Sequence, residues 1–173
     1  MAGLPRLDPL PAFNFYVVLV DDSSLVSTAV SLVAPFVLGG FAECSGLESE
    51  MGLVEYRAGG VNDRVHKFPD RFTFPNIVLS RGVGFSEDIY LWHEEFLQGE
   101  GKRRNGMILL ANEMRVPIKS WSFERGLPIK WTGPSLNAGS SALSIERLEI
   151  AHEKLTLMMS PGKALDMVLD AVF

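Results

Sequence analysis

Residues 13–20 read Phe-Asn-Phe-Tyr-Val-Val-Leu-Val, and both their odd and their even positions are largely apolar. Successive side chains along a strand point to opposite faces, so a strand of this kind needs cover on both sides. In a stacked or closed β-protein the second face meets a helix or another chain. Further strand signals follow in Leu53–Arg57, which alternates less cleanly, and in the short apolar runs Ile77–Leu79 and Met107–Leu110. Ile118–Phe123 and Leu127–Trp131 come next, the latter opened by Pro128, which reads as an edge or a strand start. The stretch between Asn62 and Asn76 reads as a polar loop. A chain of 173 residues with 47% apolar content is expected to form a single domain, 1–173, around a real core.

One helix is expected after Ser86. Ser86 is a good N-cap, Glu87 and Asp88 suit the first turn, Ile89, Trp92 and Phe96 share one face, and Gly99 supplies the stop. Leu143–Leu157 fits two patterns. Ile145, Leu148, His152 and Leu155 follow a helical period, whereas Leu143/Ile145, Leu148/Ile150 and Leu155/Leu157 fit a strand whose facing switches, as bulges produce. Ser160-Pro161 then opens a short terminal helix with the stripe Leu165, Val168, Leu169 and Val172.

Composition excludes several functions. A net charge of −5 argues against nucleic-acid binding, and Lys102-Arg103-Arg104, set among glycines, reads as a solvated turn. One cysteine, Cys44, rules out an internal disulfide and a cysteine metal cluster, and its strand context makes it a small buried hydrophobe. Met1–Pro11 lacks the apolar core of a secretory signal. Leu25–Phe41 carries no charge, but Pro35, Gly39 and Gly40 and the missing basic flanks read as a surface loop against a neighbouring subunit rather than a membrane span. His93-Glu94-Glu95-Phe96-Leu97 lacks the second histidine of a zinc motif, and His66 and His152 have no ligand spacing. Neither a phosphate loop, a dinucleotide fingerprint nor a nucleophile elbow occurs. Glu43, Glu48, Glu55, Glu146 and Glu149 lie on or beside strands and read as solvated or inter-subunit charges.

The order of the pieces carries more than any single piece. Phe41-Ala42-Glu43-Cys44-Ser45-Gly46-Leu47-Glu48 is followed by Glu55-Tyr56-Arg57-Ala58-Gly59-Gly60-Val61-Asn62 and then by Asn76–Gly82. The Trp92 helix, Pro134–Ala138 and Ile145–Glu153 complete the series. From about Ala12 to Leu157 this order resembles the tail tube proteins of contractile phages and of phage-like contractile injection systems. The resemblance implies a mainly β fold, a small antiparallel β-barrel or sandwich with one flanking helix and a short C-terminal helix. It also assigns 143–157 to the long final strand. It implies hexameric rings that stack into an inner tube, pierce a target envelope and conduct DNA or effector cargo. The implied partners are further copies of the chain, a sheath protein and spike hub or baseplate proteins, with assembly in the cytoplasm before incorporation into a virion or injection particle. No catalytic residue, cofactor, metal or membrane anchor is expected. Candidate inter-subunit contacts are Phe13, Phe15, Leu25, Val30, Val37, Leu38, Glu43, Leu47, Glu55, Leu165 and Leu169. Two departures from the simple tube pattern, the 21–40 insertion and the 160–173 extension, keep a tube-initiator or adaptor ring as the alternative. A flavin-binding split-barrel oxidoreductase and a monomeric binding module are the readings from other classes.

Overall fold

In the computed structural model, which describes residues 12–21, 41–60, 63–84, 86–139 and 141–159, apolar runs become strands. They are β1 (Phe15–Asp21), β2 (Glu43–Ser45), β3 (Glu50–Tyr56), β4 (His66–Thr73) and β5 (Ile77–Gly82). Helix α1 (Asp88–Leu97) follows, then β6 (Arg104–Ala111), β7 (Pro117–Thr132), β8 (Ile145–Ala151) and β9 (Lys154–Met159). Seven strands form one antiparallel sheet in the order β1-β6-β7-β8-β5-β2, with β9 also on β7. The pairing runs openly from β1 to β2 among the described residues. β3 and β4 form a separate two-stranded sheet.

β7 organises the large sheet. The two strands expected at Ile118–Phe123 and Leu127–Trp131 are one strand of 16 residues. Its first part pairs with β6 on one flank and β9 on the other, and its last part pairs with β8. β8 and β9 run in succession along the same flank, with Ala151 opposite Leu127 and Lys154 opposite Glu124. The long final strand expected over 143–157 is two strands, 145–151 and 154–159, and the break at His152-Glu153 switches the facing between Ile150 and Leu155, while Leu143 and Ile145 are exposed. Pro128 lies inside β7 rather than at its start. Pairing with β6 ends at Gly126, so beyond that point one flank of β7 is an edge. The Pro128 carbonyl faces α1, where His93 Nδ1–H donates to it at 3.0 Å. A residue's N–H and C=O share one side of an antiparallel strand, so the missing N–H removes nothing from the β8 ladder.

The core lies between one face of the sheet and α1. Val17, Leu19, Phe41, Ile77, Leu79, Ile89, Trp92, Ile108, Phe123, Leu148 and Ile150 are buried together. The second face of β1 is also covered, since Val18 is 8% exposed, as the apolar pattern of that run required. α1 buries Ile89 and Trp92, and Trp92 Nε1–H donates to the Lys102 carbonyl at 3.0 Å. Ser86 is not the N-cap. Glu87 occupies that position without a side-chain cap, and the Ser86 hydroxyl donates to the Asp88 carboxylate instead. Gly99 ends the helix at φ +80, as its position suggested. Gly46 is fixed more strictly. Its φ is +84, and a Cβ there would lie 2.1 Å from the Asn76 carbonyl oxygen.

Candidate functional site

The feature least explained by the chain's own fold is the β3–β4 hairpin. The polar loop expected between Asn62 and Asn76 is here strand β4, and it pairs with β3 in the register Met51↔Phe72, Leu53↔Pro69, Val54↔Phe68, Glu55↔Lys67 and Tyr56↔His66. A bulge between Met51 and Leu53 shifts β4 by one residue, which moves Phe72 to the face opposite Phe68. One face therefore presents Val54, Tyr56 and Phe68, and the other presents Met51, Leu53 and Phe72. All six are exposed, from 44% for Met51 to 64% for Phe72. A two-stranded ribbon is at best marginal in water on its own. An arm with exposed apolar side chains on both faces has the character of an interaction surface.

The residues singled out from the sequence fall into three groups. Phe13 is 70% exposed beside the start of β1, while Glu43 and Glu55 are exposed on β2 and β3. Glu55 stands 4.0 Å from Lys67 across the arm, a contact too solvated to contribute much. Phe15 and Leu47 pack against the chain's own core and are half-buried. Leu25, Val30, Val37, Leu38, Leu165 and Leu169 lie outside the described residues, as do most of the 21–40 insertion and the 160–173 extension. The six apolar arm residues were missed, although two short runs with Phe and Tyr flanking Gly59-Gly60 carry a hairpin signal.

Glu146 corrects the expectation of a solvated or inter-subunit charge. It is buried opposite Arg81 in the β5–β8 register, and Arg81 Nε–H donates to Glu146 Oε1 at 2.7 Å. Trp131 Nε1–H donates to Glu146 Oε2 at 3.2 Å, and Arg81 Nη2–H donates to the Ser86 carbonyl at 2.6 Å. The pair thus ties β5, β8, β7 and the approach to α1 together. Glu149 is half-buried and accepts from Asn76 Nδ2–H at 2.8 Å.

Among the described residues the histidines lie apart from one another. His66 stacks on Phe68 on the arm, His93 is held by Pro128, and His152 sits at the β8–β9 break. Among the described residues no group of three or more His, Cys, Asp or Glu gathers as a metal site. No described helix is long and apolar enough to cross a membrane. Burial, aided by the nearby Glu43 carboxylate, pushes the Cys44 thiol up to about 11, which makes it a poor nucleophile at neutral pH.

Comparison with known proteins agrees with a structural role. A search of the curated proteins gives no match. A chain in the cryo-EM structure of the anti-feeding prophage baseplate, 6-fold symmetrised, is 25% identical with a TM-score of 0.77, over 90% of this chain and 99% of that one. A chain of the anti-feeding prophage cap, the tube-terminating cap, is 25% identical with a TM-score of 0.75, over 92% of this chain and 100% of that one. A chain of the PVC extracellular contractile injection system, from its sheath-tube complex in the extended state, shares the fold. It has a TM-score of 0.70 at 21% identity, over 87% of this chain and 92% of that one. The family model described as T4-like virus tail tube protein gp19 matches residues 11–156, and the chain belongs to that tail tube family.

Proposed function

We infer that the chain is a structural subunit of the inner tube of a contractile phage tail or injection system. It assembles into hexameric rings that stack, pierce a target envelope and conduct DNA or effector cargo. The observation that carries this reading is the β3–β4 arm, which exposes three apolar side chains on each face, and in this reading another copy of the chain covers them. The large sheet supports it: β1 and β2 each have one paired neighbour among the described strands, and sheets of adjacent subunits join at such ends. A head-to-tail contact of this type closes into a ring by rotation, while stacking stays open and makes a tube. The motion is powered by a contracting sheath, so the subunit acts mechanically and performs no catalysis. Its partners are further copies, the sheath and baseplate proteins, and it resides in a virion or injection particle.

The likenesses to chains of a baseplate and of a tube-terminating cap favour a second reading within the same family, an initiating or terminating ring rather than the bulk tube. Native mass spectrometry and negative-stain microscopy test both. Six-fold particles that stack into rods identify a tube subunit, single six-fold rings identify an end ring, and a monomer at all concentrations refutes the assembly.

A further inference from the structure

Resting on the tube reading above, we propose that the arm of one copy, by its face with Val54, Tyr56 and Phe68, docks on a seat at the opposite end of the next copy, and that this contact stacks ring on ring. Leu136, Leu143 and Ile145 form the seat. The arm joins the large sheet at one end of the β5–β8 pair, where β5 begins at Ile77 opposite Ile150. Its root is held there by Asn76 Nδ2–H, which donates to Glu149 at 2.8 Å, and by the Phe74 ring, 5.8 Å from that of His152 between centroids. β5 ends at Gly82, opposite Ile145. At about 3.3 Å per residue the two ends of this pair lie about 17 Å apart.

The seat is apolar and bare. Val83 N–H donates to the Ser144 carbonyl at 2.9 Å, which carries the β5–β8 pairing one step further. Leu143 lies two residues from Ile145, so the extended chain sets both on the face where Gly82 has no side chain. A Cβ on Gly82 would meet nothing within 4 Å, so the space beside Ile145 is open. Leu143 is 87% exposed, and Leu136, in the same β7–β8 connection, is 82% exposed. Charge matches as well. Arg147, two residues beyond Ile145 on the same face, and Lys130, one pair farther along, are exposed and form no ion pair among the described residues. Glu149, opposite Lys130, is engaged by Asn76. On the arm, Glu50 alternates onto the face of Val54, and the Asp70 carboxylate lies 3.4 Å from where a Cβ on Gly52 of that face would stand. Both acids are exposed, so the joint sets acidic residues of the arm against basic residues of the seat. Arm and seat stay exposed in the single chain, at opposite ends. Every copy carries both halves, so the contact is head-to-tail and repeats without closing, which is the symmetry of stacking. Closing each ring falls instead to the edges at β1 and β2. A ring whose copies carry both halves extends on either side.

Leu143→Asp and a pair of mixing experiments test the seat. Leu143 is so exposed that the substitution leaves the thermal unfolding temperature within a degree or two of wild type. In negative stain the wild type is expected to form rods and Leu143→Asp to stop at single six-fold rings, with the critical concentration for rods raised at least about tenfold. In a Cys44→Ala background, protein carrying Leu143→Cys is mixed and oxidised with protein carrying Phe68→Cys, and in parallel with protein carrying Phe72→Cys, which lies on the other face of the arm. A disulfide-linked pair of copies is expected from the first mixture and little from the second. Three results overturn the seat and leave the tube reading standing: rods that form as readily in Leu143→Asp, no linked pair in either mixture, or an equal or greater yield with Phe72→Cys. A wild type that stops at single rings also overturns the seat, while ring formation stands. A wild type that stays monomeric at every concentration overturns both.

Discussion

Replacing Phe72 with serine separates assembly from folding, because Phe72 is 64% exposed and contributes little to the single chain. Full burial of a phenylalanine side chain is worth about 1.5–3 kcal/mol, so covering the remaining two thirds is worth about 1–2 kcal/mol at each contact. That corresponds to a loss of about 5–30-fold in the association constant per contact, and every copy in an assembly carries the change. Phe68→Ser, with Phe68 at 51% exposure on the opposite face, gives a slightly smaller effect if both faces are covered. The measurement is the critical concentration for assembly by light scattering, beside thermal unfolding by circular dichroism. The expected outcome is a rise in critical concentration for both variants with a melting temperature within a degree or two of wild type, since exposed substitutions change stability little. An unchanged critical concentration for both would refute the assignment of the arm as an interface. A change for Phe72 alone would confine the interface to the face that also carries Met51 and Leu53.

Further outcomes concern Gly46, Glu146 and Cys44. Gly46→Ala places a Cβ 2.1 Å from the Asn76 carbonyl oxygen at a backbone φ of +84, so urea denaturation should show a loss of at least about 1–3 kcal/mol. Glu146→Ala leaves Arg81 charged and buried without its carboxylate, and the same assay should show a loss of about 3–5 kcal/mol, far more than Glu55→Ala on the exposed arm. Cys44, with its thiol pushed up to about 11, should resist alkylation at neutral pH in the native protein and react readily once unfolded. By the same shift, stability falls as the pH rises above the ordinary thiol value of about 8.5, because only the unfolded chain ionises there.

The sequence made the strands of the core legible because burial leaves a local mark. The runs at 13–20, 77–79 and 107–110 are apolar, and they became β1, β5 and β6. β4 left a weaker mark. His66, Lys67, Asp70 and Arg71 make it polar and Pro69 interrupts it, and the strand exists because both edges of a two-stranded ribbon tolerate proline and charge. The 16-residue span of β7 was hidden in the same way by Glu124, Arg125 and Gly126, which look like a turn. Arg125 does adopt a φ of 54, but Asn105 Oδ1 accepts its backbone N–H at 2.8 Å and keeps the strand running. Glu146 was misjudged because its partner Arg81 lies 65 residues away, a separation that no local pattern reports. The resemblance to tail tube proteins favoured strand where periodicity left 143–157 open, and the region is strand, but as β8 and β9 rather than one long strand. The proposed interface residues were the least legible part. Exposed apolar side chains on the arm look like core residues in sequence, and only their exposure in the single chain sets them apart.

A cryo-EM reconstruction of the assembled particle shows whether another copy of this chain covers the β3–β4 arm. The expected particle is a six-fold ring, alone or stacked, in which Val54, Tyr56 and Phe68 on one face and Met51, Leu53 and Phe72 on the other are buried against neighbouring copies. A particle in which the arm remains in solvent, or folds back onto its own subunit, would contradict it.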